Sequence, residues 1–244
     1  MFRSINSIYG FKLHATDGIV GKIENFFIDK DKWALRYLVV DTGSWLTGKL
    51  VLISPESFAG KPVWEEKSFP VNLTRQMVKN SPDVDTEKPV SRQKEIDVLK
   101  YYKWPIYWEP YIGEAAIPRI TPVALAEEIY EEETSHLHGT KYLSGYHIHA
   151  SDGEIGHVDD FLIDDTDWVV RYIVVQTHNW IHGKKTLISP QWITKINWEL
   201  SNLNIRFSRN KIKNSPEYNP ETEITRDYEN NLYDYYGKEK YWVK

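Results

Sequence analysis

Apolar and polar positions alternate along most of this chain in short runs broken by Gly, Asp and Pro. That is the pattern of half-buried β-strands joined by tight turns. The clearest run is Trp33-Ala-Leu-Arg-Tyr-Leu-Val-Val-Asp41. With a period of two, Trp33, Leu35, Tyr37 and Val39 share one face, and Ala34, Arg36, Leu38 and Val40 the other. Both faces are largely apolar, which predicts a central strand covered on both sides. Before it, Asp17-Gly18 marks a hairpin turn whose two central residues are expected at positive φ. The strand that follows runs from about Ile19 to Asp29, with Gly21 inside it as the mark of a bulge or sharp bend. After the central strand, Lys49 to Ile53 reads as a strand stopped by Ser54-Pro55, and a last short one is expected near Pro70 to Leu73.

The same pattern occurs twice. Gly10-Phe-Lys-Leu-His-Ala-Thr-Asp-Gly18 returns as Gly145-Tyr-His-Ile-His-Ala-Ser-Asp-Gly153, an offset of 135 residues. The offset holds through Phe26/Phe161, Asp29/Asp164, Trp33/Trp168, Arg36-Tyr37/Arg171-Tyr172, Trp45/Trp180 and Leu52-Ile-Ser-Pro55/Leu187-Ile-Ser-Pro190. After a one-residue deletion, Lys79-Asn-Ser-Pro82 matches Lys213-Asn-Ser-Pro216. The match continues through Arg92/Arg226, Tyr101-Tyr102/Tyr235-Tyr236 and Trp108/Trp242. The repeated unit is therefore a β-rich body plus a tail. The chain divides into 1–109, a linker 110–140, and 141–244.

Each tail carries a helical period. Ser91 and Thr225 are suited to cap helices over about Arg92 to Tyr102 and Arg226 to Tyr236. Gly237 suits the stop of the second. Each helix is expected to lie on a β-body, its own or its sister's. In the linker, Thr121 and Pro122 open an acidic amphipathic segment that also reads as a helix.

The motifs resemble a known family. The opening Gly-x-x-[Leu/Ile]-x-Ala-x-Asp-Gly-x-[Val/Ile]-Gly is followed by Phe-x-Ile-Asp and by Trp-x-[Leu/Val]-Arg-Tyr-[Leu/Ile]-Val-Val. Together they resemble the PRC-barrel domain, named for the cytoplasmic domain of the photosynthetic reaction-centre H subunit. The resemblance covers about Ile5–Leu73 and Lys141–Phe207. It implies a mainly β fold: two small PRC-type barrels in tandem, each followed by an extended tail with a short helix, plus an α-helical linker. It also implies an assembly or docking role without shared catalytic residues. Unlike the H subunit, this sequence shows no membrane-spanning helix, so a reaction-centre role is not expected.

Composition narrows the chemistry. The net charge of −5 and the absence of a Lys/Arg run argue against nucleic acid and anionic membrane surfaces. No cysteine occurs, which removes disulfides, thiolate–zinc sites and thiol catalysis. No stretch reaches the roughly 18–20 apolar residues of a membrane span. These features fit a cytoplasmic protein. Trp 10 and Tyr 16 are high counts for 244 residues and supply burial. No Gly-x-Ser-x-Gly and no phosphate-cradling loop is present, so neither an enzyme nor a cofactor is expected.

Few residues remain as candidate sites. His147 and His149 alternate on one strand, and His178 and His182 stand four apart in a loop. They are metal candidates by residue type, but copy one has Lys12, Gly43 and Thr47 opposite His147, His178 and His182, and the solvated reading is preferred. The acidic turns at Asp29 and Asp164 read as plain turns, and Arg36 and Arg171 as partners for those aspartates. Trp45 and Trp180 sit in turns between strands. Such a ring packs into the fold or anchors a partner. The leading expectation is a scaffold that docks a protein partner, with a homodimer open to it besides the internal pseudo-dimer. The alternative is a small-ligand or metal sensor using the His-rich second copy or the cleft between the copies.

Overall fold

The computed structural model describes residues 1–46, 48–83, 90, 92–108, 137–177 and 184–243, without the side chains of 45, 46 and 93. The expected linker helix at Thr121, the histidines 178 and 182, and Trp180 lie outside the described residues. The fold is mainly β. In the first half the strands are β1 (Phe2–Ser4), β2 (Lys12–Ala15), β3 (Gly18–Asp29), β4 (Leu35–Asp41), β5 (Leu50–Ile53) and β6 (Ser68–Pro70). The second half brings β7 (Leu137–Gly139), β8 (His147–Ala150), β9 (Gly153–Asp164), β10 (Val170–Thr177), β11 (Lys185–Ile188), β12 (Ile193–Asn197) and β13 (Asn202–Ile205). Short helices are α1 (Ile5–Ile8), α2 (Arg75–Lys79), α3 (Arg92–Tyr102), α4 (Thr140–Leu143), α5 (Arg209–Lys213) and α6 (Arg226–Tyr236).

Two compact units result. The N-unit, Tyr9–Asp31 with Leu35–Gly139, holds a sheet in the order β5-β4-β3-β2-β6, with β7 added on β3. The C-unit, Met1–Ile8 and Lys32–Ala34 with Thr140–Lys244, holds the order β11-β10-β9-β8-β13-β12, with β1 added on β9. In each, one pair is parallel (β2 with β6, β8 with β13) and the rest are antiparallel. Among the described residues, no pairing joins the end strands of either sheet into a closed ring.

The units do not coincide with the repeats. β1, at the start of copy one, belongs to the C-unit, and β7, which stands 135 residues later in the last part of the expected linker, belongs to the N-unit. The helix after β1 goes with it, and Ile5 and Ile8 are fully buried there. The tail helices stay with their own copies. α3 meets β4 through Tyr37 and Glu95, and α6 meets β10 through Tyr172 and Glu229.

Local sequence explains most of the elements. β4 is buried on both faces, from Leu35 and Tyr37 to Leu38 and Val40. α3 and α6 have the bounds that the helical period predicts, and Thr225 caps α6 by accepting from the Tyr228 amide at 3.2 Å. Gly237 ends α6 at φ 66°, where a Cβ would be strained. A bulge falls beside each bend glycine. Leu13 pairs with Gly21 but His14 with Ile19, and Ile148 pairs with Gly156 but His149 with Glu154. A Cβ at Gly21 would stand 2.2 Å from the Asp41 carbonyl oxygen, and one at Gly156 2.1 Å from that of Gln176. Glycine is needed there for close approach of two strands.

Two expectations are corrected. The Asp-Gly turns have positive φ only at Gly18 and Gly153. Their aspartates instead hold the starts of α2 and α5. Asp17 accepts from the Arg75 amide and Asp152 from the Arg209 amide, each at 2.7 Å. Trp33 and Trp168 do not open the central strands. Both are left-handed, at φ 54° and 57°, and the strands begin two residues later. In the C-unit the buried Trp33 ring lies against Phe161 and its carbonyl accepts from the Val170 amide at 2.8 Å. Burial of a large ring offsets the roughly 1–2 kcal/mol of a left-handed backbone.

Candidate functional site

Among the described residues, a constellation of ionisable groups joins each tail to its sheet. In the N-unit, Glu95 on α3 is fully buried. The Tyr37 hydroxyl of β4 donates to it at 3.1 Å, and Arg92, one turn earlier, stands 3.5 Å away. Tyr107 also faces Glu95. Arg36 lies 3.9 Å over the Tyr107 ring while donating to Asp29 at 3.0 Å, and Arg92 lies 4.0 Å over Trp108.

The C-unit repeats this arrangement at the matched positions and adds Asp167, where copy one has Lys32. Glu229 on α6 is buried and accepts from Tyr172 of β10 at 2.7 Å and from Tyr241 at 3.1 Å. Arg226 pairs with it at 2.8 Å and covers Trp242 at 4.3 Å. Arg171 covers Tyr241 at 4.6 Å and reaches Asp164 and Asp167. The ion pairs expected for Arg36 and Arg171 are therefore present, and each guanidinium also stacks on a tail tyrosine.

A buried carboxylate is tolerable only when donors surround it. Here an arginine and tyrosine hydroxyls supply them. Burial first, and then Glu95, push the Tyr37 and Tyr107 hydroxyls well above the ordinary tyrosine value. Burial and then the bond to Glu229 do the same for Tyr172, and burial and the Glu229 charge do so for Tyr241. These phenols stay protonated at neutral pH and serve as donors, so the cluster is a fastening. A second fastening is shared as well. Lys49 donates to the Ser81 carbonyl at 2.5 Å, and Lys184 to those of Ser215 at 2.5 Å and Lys213 at 3.1 Å, clamping the Asn-Ser-Pro turn.

The repeat carried the signal for Glu95 and Glu229: they keep the tail's offset and follow Arg92 and Arg226 by three residues. A lone Glu in a polar helix reads as solvated, so its burial is not legible from the tail alone.

His147 and His149 point outward from β8 and flank one carboxylate. Glu154 on β9 lies 2.8 Å from His147 Nδ1 and 3.9 Å from His149 Nε2. Among the described residues, no group of three His, Asp or Glu side chains is disposed to hold a metal ion. The acidic turns are closed internally. Asp29 accepts from the Asp31 amide at 2.9 Å and Asp164 from the Thr166 amide at 3.0 Å. The Trp45 side chain falls outside the described set, like Trp180. No helix among the described residues is long and apolar enough to cross a membrane.

Compared with protein-family models and with curated protein sequences, the chain matches none.

Proposed function

We propose that this chain is a tandem pair of PRC-type barrel modules that docks a protein partner and catalyses no reaction. One observation carries the reading. The cluster of buried ionisable groups shared by the copies, Glu95 with Tyr37 and Arg92 and its counterpart around Glu229, fastens the tails. What the repeat preserves is thus the fastening of tail to sheet, and what remains for recognition is the surface. Trp45 and Trp180, at matching sequence positions after the central strands, are the anchors we assign, because Trp dominates interface hot spots. The net charge of −5 favours a protein partner over nucleic acid or anionic lipid. The cysteine-free composition supports a cytoplasmic location.

The test is affinity capture from the native cell with the full chain as bait, beside a Trp45→Ala/Trp180→Ala variant of unchanged melting temperature. A specific protein recovered by the first and lost by the second supports the assignment. Equal recovery by both refutes the tryptophans as anchors.

A second reading rests on Glu154, held between His147 and His149 on an exposed face. If that face senses a divalent metal, zinc raises the melting temperature and His149→Ala removes the rise. No rise with zinc or nickel ends this reading.

A further inference from the structure

The exchange of opening strands poses a problem of choice. β1 and β7 stand at the repeat's offset of 135, each adds antiparallel to the far end of a repeated strand, and each fits the same backbone slot. Backbone hydrogen bonds alone cannot tell the strands apart. The side chains at three matched slot positions differ. In the C-unit, Asp160 accepts from Ser4 Oγ and, at 3.1 Å, from the Asn6 amide, while Asp165 accepts from Arg3 Nε at 3.2 Å. The equivalent residues of the N-unit slot are Asn25 and Lys30, and Phe27 stands where the C-unit has Leu162.

In the N-unit slot, a side chain at that point would have to displace Asn25. Gly139 pairs with Phe27, and a Cβ on it would stand 2.8 Å from Asn25 Nδ2 and 3.2 Å from Phe27 Cε1. Placed there, β1 would set Ser4 against Asn25 and Phe27 and Arg3 beside Lys30. Placed in the C-unit slot, β7 would leave Asp160 facing Gly139, without the hydroxyl it accepts from. Each wrong pairing costs a clash, a like-charge contact or a buried carboxylate short of a donor.

We propose that Asp160 and Asp165 in one slot, and Asn25, Phe27 and Lys30 in the other, form an address that sends β1 to the C-unit and β7 to the N-unit. The address makes each unit complete only with the strand contributed from outside its own copy, so the two units fold interdependently. Recognition is of a strand carrying Arg-Ser in one slot and His-Gly in the other.

Transposing the strands in the full chain tests this. The variant carries Phe2→Leu, Arg3→His and Ser4→Gly with Leu137→Phe, His138→Arg and Gly139→Ser. Amide hydrogen exchange across 2–4 and 137–139 should rise about tenfold or more. Transposing the slots as well restores the match: Asn25→Asp, Phe27→Leu and Lys30→Asp with Asp160→Asn, Leu162→Phe and Asp165→Lys. Protection should return to within about twofold of the parent. Parental protection in the strand-transposed chain with residues 2–4 still beside 162–164 and 137–139 still beside 27–29, read from inter-strand NOEs, overturns the address, and so does failure of the slot transposition to restore it. If the first variant does not fold, the second decides alone: a folded chain with protected strands supports the address, and an unfolded one refutes it.

Discussion

Tyr172 and Tyr37 show how one hydroxyl can hold a tail in place. Each lies on a central strand and donates to the buried glutamate of its tail helix. Tyr172→Phe leaves Glu229 with one donor fewer in a site that water does not reach. The expected loss is about 1–3 kcal/mol of unfolding free energy, read by urea denaturation. Glu229→Gln in the same background should cost less than in the parent, because the pair is coupled. The buried tyrosines also set the alkaline limit. Burial, as the main cause, pushes Tyr102 and Tyr236 up to about 12. The unfolded chain gives up these protons near pH ~10, while the folded chain keeps them to higher pH. The unfolded state then binds fewer protons, so stability is full below about pH 10 and falls as pH rises toward 12. A denaturation midpoint unchanged between pH 8 and pH 11 would contradict this.

At the scale of elements, the long strands β3 and β9 do the organising. Each carries a bulge beside a glycine, which turns it from one partner strand to the next. Gly156→Ala drives a Cβ into the Gln176 carbonyl and should cost about 3 kcal/mol or more. Gly237→Ala, at the end of α6, meets no neighbouring atom and should cost only the left-handed backbone penalty of about 1–2 kcal/mol. Thermal melts of the two variants should rank in that order, and the reverse order would refute the close-approach reading of Gly156. The Lys49 and Lys184 clamps act on the same scale, tying the turn after α2 and after α5 to the strand edge that feeds each tail.

At the scale of the molecule, the exchanged segments make the copies depend on each other. Deleting residues 1–8 removes Ile5 and Ile8, each fully buried in the C-unit, at about 1.5–3 kcal/mol apiece. The prediction is that this deletion raises hydrogen exchange in β9, whose sequence lies more than a hundred residues away. Unchanged exchange in β9 would refute the exchange of strands. The duplication, the strands around Tyr37 and Tyr172, the bends at Gly21 and Gly156, and the bounds of α3 and α6 are all legible in the residue pattern. Those features follow from periods, caps and turns within a few residues of one another. Which β-body each tail helix covers, the burial of Glu95 and Glu229, the left-handed Trp33 and the destination of β1 were decided by tertiary structure alone. The physical reason is that β1 and β7 carry the same backbone pattern and fit either slot locally. Only contacts between residues far apart in sequence, such as Ser4 with Asp160 and Gly139 with Asn25, distinguish the two arrangements.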